Sequence, residues 1–207
     1  MRRFSVETIR AFVPEETRPY ECALVYPSAF TERQCDRILT SVADLETDTA
    51  HVGSGAGETK LDDAVRRARI AWIPSDEPFG WIYDKLASVV GRANRHYCFD
   101  LIGFTEELQF TEYRHAGAFY TWHQDGLEGE LACRKLSMVV QLSDPDDYEG
   151  GDLEFFGIDD VAPERRTNTR RRGSVVVFPS FEYHRVAPLE SGVRRSLVCW
   201  VGGPPFR

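Results

Sequence analysis

From Leu108 onward the chain runs as short apolar stretches broken by glycine, and this punctuation constrains the fold of its 207 residues more than any other feature. Leu108–His115, Phe119–Gln124, Leu136–Leu142, Asp152–Gly157, Ser174–Phe178 and Arg194–Trp200 read as strands. Gly126, Gly129, Gly150, Gly151, Gly157, Gly173 and Gly192 fall between or beside them. A series of short strands with such turns hides its edges by curling into a sandwich or barrel.

The first half has a different period. Thr31 and Gln34 form a capping-box pattern, in which hydroxyl and amide each satisfy an orphan backbone N–H, and Cys35, Ile38, Val42 and Leu45 follow at helical spacing. Pro78 suits the first turn of a second helix, where its missing N–H would have had no partner. Ile82, Leu86, Val89, Ala93 and Tyr97 give that helix an apolar stripe. A glycine-rich polar loop (His51–Gly57) and a strand (Ala68–Ile73) lie between the helices. The expected fold is mainly β with supporting helices (α+β) in one domain, 1–207. Residues 1–105 would form a mostly helical support and 106–207 a β-barrel core bearing the chemistry.

Charge and cysteine usage narrow the setting. Lys and Arg number 25 against 33 Asp and Glu, a net charge of −8, which argues against nucleic acid or an anionic membrane surface as partner. No apolar run approaches the roughly 20 residues of a bilayer-spanning helix. Arg2 and Arg3 open the chain, but Glu7 and Arg10 interrupt any secretory-signal pattern. Five scattered cysteines with no C-x-x-C pair suggest reduced thiols and a cytoplasmic location, most of them buried as small hydrophobes. Nothing in the pattern specifies an oligomeric state. Arg165, Arg166, Arg170, Arg171 and Arg172 crowd one segment of this acidic chain. They read first as a solvated hairpin loop, second as a rim that draws an acidic substrate.

Three positions carry chemistry. In His123-Gln124-Asp125 an imidazole and a carboxylate two residues apart share one face of a strand. Alone, that is equally a surface hydrogen-bonded pair. His184 adds a second imidazole, and two histidines with one carboxylate are the set that holds non-haem Fe(II) on one octahedral face. Structural zinc would more usually take four protein ligands. Arg194 stands ten positions beyond His184. If Ala187–Gly192 is a loop joining a hairpin, the two side chains lie opposite each other on one face. A guanidinium inside a barrel needs an anion, and a carboxylate pairs with it bidentately. His51, His96 and His115 have no partner at metal spacing, although His115 shares the strand face of Tyr113.

Three stretches together are more specific than any one of them: Tyr113–Asp125 (YRHAGAFYTWHQD), Leu142–Leu153 (LSDPDDYEGGDL) and His184–Leu197 (HRVAPLESGVRRSL). In order and spacing they resemble the Fe(II)/2-oxoglutarate-dependent dioxygenases of the prolyl 4-hydroxylase-like group, over about half of the chain from Gln109 onward. The resemblance implies a double-stranded β-helix (jelly-roll) core, Fe(II) held by His123, Asp125 and His184, and 2-oxoglutarate anchored by Arg194. Ser196 completes an R-x-S pattern, and Tyr113 matches a tyrosine that bonds the co-substrate in relatives. Gln141 stands where several prolyl hydroxylases have tyrosine, and its amide could donate to the co-substrate. Thr121, Trp122, Phe155 and Trp200 are candidates for pocket or core, and the Gly150–Gly151 pair suits a turn or bulge.

The implied activity is hydroxylation of an aliphatic C–H with O2 as oxidant, succinate and CO2 as products and ascorbate as reductant. The target would be a prolyl residue of a peptide or protein, or a small molecule such as a free amino acid. Asp125 favours hydroxylation over halogenation, since related halogenases lack the carboxylate. The alternatives are a cupin-like metal-binding or sensing module without turnover, and a jelly roll used only for protein association.

Overall fold

The structure, a computed structural model, describes residues 20–43, 45, 48–49, 52–53, 59–60, 66–126, 129–157 and 169–205. The chain forms β1 (Leu24–Tyr26), helix α1 (Glu32–Val42), β2 (Asp48–Thr49), β3 (Val52–Gly53), β4 (Thr59–Lys60) and β5 (Arg69–Ile73). Helix α2 (Gly80–Tyr97), β6 (Gly103–Phe104), β7 (Leu108–Tyr113), β8 (Tyr120–His123) and β9 (Arg134–Gln141) follow. The chain continues with β10 (Tyr148–Gly150), β11 (Leu153–Phe155), β12 (Val175–Pro179), β13 (His184–Val186), β14 (Leu189–Gly192) and β15 (Arg194–Gly202). One large antiparallel sheet runs β1-β12-β9-β15-β7-β5-β2, with β6 also on β15. The sheet β11-β13-β8 and the pair β10-β14 form the opposing layer, and β3 pairs with β4.

Strand alternation splits the large sheet into two functional faces. Phe110 of β7, Met138 and Val140 of β9, and Leu197, Cys199 and Val201 of β15 face the helices, where they pack with Cys35, Ile38, Ile82, Leu86 and Val89. Their alternates, Gln109, Tyr113, Val139, Arg194, Ser196, Val198 and Trp200, line a cavity against the small sheet. Strands β7 and β9 are buried along their whole length, as a sheet covered on both faces requires.

The first helix sits where its local signal puts it, whereas Pro78 precedes the N-cap of the second, Phe79, instead of occupying its first turn. Thr31 Oγ1 accepts from the Gln34 backbone N–H at 3.3 Å, and Gln34 Oε1 accepts from the Thr31 N–H at 3.0 Å. Helix α2 starts two residues after Pro78 and ends at Cys98 in the left-handed region. Alongside the two helices, the first 105 residues supply β1 and β5 to the large sheet. None of the helices described is long and apolar enough to cross a membrane. Cys22, Cys35 and Cys199 are buried, Cys133 is half-buried, Cys98 is exposed, and none is in a disulfide.

Two expectations need correction. His184 and Arg194 are not partners in a hairpin: β13 pairs with β11 and β8, while Arg194 pairs with Tyr113 in the large sheet. The stretch read as a loop contains β14, which pairs with β10 through a bulge at Gly150. A Cβ at Gly150 would lie 2.4 Å from the Pro188 carbonyl, so only glycine lets these strands approach. The chain crosses to the large sheet only at Gly192.

The arginine segment is likewise not simply a solvated loop. Arg170 donates to the Gly150 and Tyr148 carbonyls and to Asp152 Oδ1, and Arg172 donates to the Leu142 carbonyl and Asp36. These two guanidinium groups pin the segment to the barrel, while Arg171 is exposed; Arg165 and Arg166 lie outside the described residues, as do His51 and the loop after it, except Val52–Gly53.

Candidate metal centre

His123 closes β8 and His184 opens β13, and the pairing of these strands sets the two histidines directly opposite. Asp125 lies beyond the end of β8, so strand alternation does not place it. Its backbone N–H donates to the Ser180 carbonyl at 2.9 Å, and its Oδ2 accepts from Ser137 Oγ at 2.6 Å. Ser137 Oγ in turn lies 3.0 Å from Ser180 Oγ. One ligand atom from each of His123, Asp125 and His184 lies within 4.8 Å of the others. The imidazole Nε2 atoms are 3.5 Å (His123) and 3.6 Å (His184) from the Asp125 carboxylate oxygens.

The donor chemistry fits a divalent cation. His123 Nδ1 is 2.7 Å from the Thr121 carbonyl and His184 Nδ1 is 2.9 Å from the Glu182 carbonyl. A carbonyl only accepts, so each Nδ1 carries the proton and each Nε2 keeps its lone pair toward the centre. Burial pushes the His184 imidazole down to about 4, Asp125 partly opposing, so it is neutral and able to ligate at neutral pH. Burial alone would raise the Asp125 carboxyl. His184, His123 and Arg134 outweigh it and hold the group well below the usual carboxylate range. Phe178 packs edge-on to the His184 ring at 4.6 Å, and Tyr120 stacks on His123 at 3.5 Å.

Arg194 is 1% exposed and lines the same cavity of about 230 Å³. Its Nη2 donates to Gln141 Oε1 at 3.1 Å, and its guanidinium carbon lies 5.5 Å from the Tyr113 ring centroid. No carboxylate among the described residues is paired with it. A buried guanidinium with a neutral partner leaves an anion to be supplied from outside the chain. Gly151 makes room for this side chain, since a Cβ there would lie 3.2 Å from Arg194 Cδ. Tyr113 and Ser196 also line the cavity. A guanidinium can only donate, so the Gln141 oxygen faces Arg194 and supports it.

Other expected positions sort by the packing. Trp200 lines the cavity, Phe155 packs against Phe178 and His184, and Trp122 lies on Phe156. His115 is exposed and beyond the end of β7, and His96 sits against Tyr97 on α2. Ser137, Ser180, Arg66 and the Arg134–Glu106 pair went unread in the sequence. Only Ser137 left a trace there, as a small polar residue inside an apolar strand.

The 2OG-Fe(II) oxygenase superfamily matches residues 108–202, the segment that supplies the triad and Arg194. The match covers 95 of the 207 residues, and over that segment the chain is similar to this superfamily. PKHD-type hydroxylases from a Synechococcus strain and from Parvibaculum lavamentivorans resemble part of the chain at 36% and 39% identity, each over 85 residues. Each match covers 41% of this chain but only 36% and 37% of those relatives, so the chain spans little more than a third of the curated proteins it matches. Among solved structures, a Pseudomonas putida prolyl-4-hydroxylase superposes with TM-score 0.66 at 22% identity, covering 87% of this chain and 92% of that one. A Trichoplax adhaerens prolyl hydroxylase, solved with a hypoxia inducible factor peptide, superposes at 0.65 and 18%, covering 87% and 83%. These likenesses show the fold: the chain has a jelly-roll core like that of the prolyl hydroxylases.

Proposed function

We propose that this protein is an Fe(II)- and 2-oxoglutarate-dependent dioxygenase that hydroxylates an aliphatic C–H bond. What supports the reading above all is one cavity that holds both the convergent His123, Asp125 and His184 ligand atoms and the buried Arg194 without a carboxylate partner. When bound, Fe(II) and 2-oxoglutarate supply oxygen insertion: with O2, a substrate C–H becomes C–OH while the 2-oxo acid becomes succinate and CO2.

The chain's own groups do the rest. His123 and His184 offer Nε2, each oriented by the carbonyl on its Nδ1, and Asp125 offers a carboxylate held by Ser137. Arg194 takes the far carboxylate of 2-oxoglutarate, with Tyr113 and Ser196 beside it and Gln141 fixing its orientation. His123, Asp125 and His184 would hold the metal through three protein atoms, which would leave it free to take the co-substrate as well. The presence of Asp125 supports hydroxylation rather than halogenation.

The names of the similar proteins, PKHD-type hydroxylase and prolyl-4-hydroxylase, support a prolyl residue as substrate, with a free amino acid as the second candidate. Five cysteines without a disulfide support a reducing, cytoplasmic setting, and the resemblance to the prolyl 4-hydroxylase-like group supports ascorbate as reductant. The test is anaerobic reconstitution with Fe(II) and 2-oxoglutarate, followed by O2, ascorbate and a substrate panel. Succinate and a +16 product are expected, with D125A and H184A inactive. Full turnover in those variants would refute the ligand set.

A further inference from the structure

We infer that Arg66 is a second anion anchor in the metal cavity and that the hydroxylated substrate carries a carboxylate. The inference rests on the proposed dioxygenase reading and names the substrate class of that site.

Among the described residues three arginines line the cavity, and they differ in how their charge is met. Arg134 is neutralised by Glu106, whose oxygens face its Nε (2.6 Å) and Nη2. Arg194 has Gln141 and awaits the far carboxylate of 2-oxoglutarate. Arg66, 6% exposed, has only neutral partners: its Nη2 donates to Gln109 Oε1 at 2.7 Å and to Thr111 Oγ1 at 3.3 Å. Its Nε is buried with no acceptor. Trp200 Nε1, on another wall of the same cavity, is a second buried donor without an acceptor.

Against three guanidinium groups the described residues of the cavity set only two carboxylates, Glu106 and Asp125, and a divalent metal widens the excess. A 2-oxoglutarate dianion removes two positive charges and still leaves Arg66 unmatched. A buried, uncompensated cation with an idle N–H is costly unless an anionic acceptor arrives with the ligand.

The position of Arg66 fits the substrate rather than the co-substrate. Its guanidinium lies 4.7 Å over the Tyr120 ring, and Tyr120 stacks directly on the His123 imidazole. It is bound to Gln109 and Thr111, whereas Arg194 is in register with Tyr113 at the end of the same strand. At roughly 3.3 Å per residue, the two anchors address levels about 7–13 Å apart along β7. A carboxylate on Arg66 would therefore hold a molecule beside the metal ligands while Arg194 is already occupied.

The experiment uses the full chain loaded with Mn(II) and saturated with 2-oxoglutarate under argon, with binding read from tryptophan fluorescence and calorimetry. The probes are amino acids, each as free acid and as primary amide, and tripeptides ending in the same residues, with free or amidated C-termini. The expected result is binding confined to acids, with the matching amides at least ten-fold weaker. R66M should abolish that preference and R66K retain part of it, with 2-oxoglutarate affinity changed less than two-fold in both. Free acids binding without the tripeptides would identify a small-molecule substrate, and tripeptide acids binding equally would identify a chain end. Amides that match acids, R66M that keeps the preference, or no carboxylate binding at all overturns the inference. The wild-type acid–amide comparison stands even if R66M misfolds. Failure of Mn(II) or 2-oxoglutarate to bind the wild-type protein would instead overturn the dioxygenase reading.

Discussion

Ser137 gives the sharpest test of how the metal centre is held. Its hydroxyl donates to Asp125 Oδ2 at 2.6 Å, both groups are buried, and the imidazole nitrogens at 3.5–3.6 Å are too far to replace that bond. Ser137→Ala removes a charge-assisted hydrogen bond worth about 1.5–3 kcal/mol and also strips Ser180 Oγ of a partner. In a chain of this size that loss lowers the melting temperature of the metal-free protein by roughly 3–12 °C. The second effect is on the metal, because an unrestrained carboxylate samples orientations that do not ligate. Loss of such a support weakens metal binding about 10–100-fold, or roughly 1.4–2.7 kcal/mol. Calorimetric titration of Mn(II) into S137A and wild type measures it directly. Val140→Ala is the control: it lies on the same strand, but on the helix-facing side, and lowers stability by roughly 2–3 kcal/mol without touching the ligands. S137A affinity within three-fold of wild type, or an equal loss in V140A, would refute the argument that Ser137 positions Asp125.

Arg194→Met should raise the 2-oxoglutarate dissociation constant by at least about 30-fold, since truncating one partner of a buried ion pair costs roughly 2–5 kcal/mol. Calorimetry on the Mn(II)-loaded protein checks this, and Mn(II) affinity itself should not change. Gly151→Ala places a Cβ at φ +63° and 3.2 Å from Arg194 Cδ. It should cost about 1–2 kcal/mol of stability in urea unfolding and weaken 2-oxoglutarate binding as Arg194 is displaced. Burial pushes the Glu112 carboxyl up, but its bonds to Arg114 and Arg195 outweigh this and hold it below its ordinary value of 4.5. A depressed carboxylate stabilises the fold above that ordinary value and loses its contribution as pH falls through the folded one. Glu112→Gln should therefore flatten the acid limb of the stability curve below about pH 5, measured by urea melts from pH 7 to pH 3.5.

How much of this was legible depended on how local the determining contact is. The α1 cap, from Thr31 and Gln34, is complete within four residues and reads directly from sequence. The triad and Arg194 were legible because three separated stretches together resemble a known family. The His184–Arg194 hairpin was misread because strand partners are chosen by distant residues: β13 and β14 find Tyr148–Phe155, and a bulge at Gly150 decides the register. Arg66 was invisible for the same reason. In Arg66-Arg67-Ala68-Arg69 it looks like one more solvated charge, and only the fold lays it over Tyr120 beneath Gln109 and Thr111.

The two layers of the barrel divide the work of the site in a way that follows from their construction. The histidines stand on strands of only four and three residues, and the carboxylate hangs beyond the end of one. Such a layer does not hold three ligands by ladder hydrogen bonds alone. Its precision is borrowed from the large sheet, where Ser137 of the fully buried β9 grips Asp125 and Phe178 of β12 abuts His184. The same sheet carries the two proposed anion anchors, with Arg194 on β15 and Gln109 and Thr111 of β7 holding Arg66. Metal and carboxylate subsites are thus referenced to one rigid frame, packed from behind by α1 and α2. A helix-facing cavity mutation should disturb both subsites together only when it shifts that frame, whereas loss of Ser137 or of Arg194 should separate them.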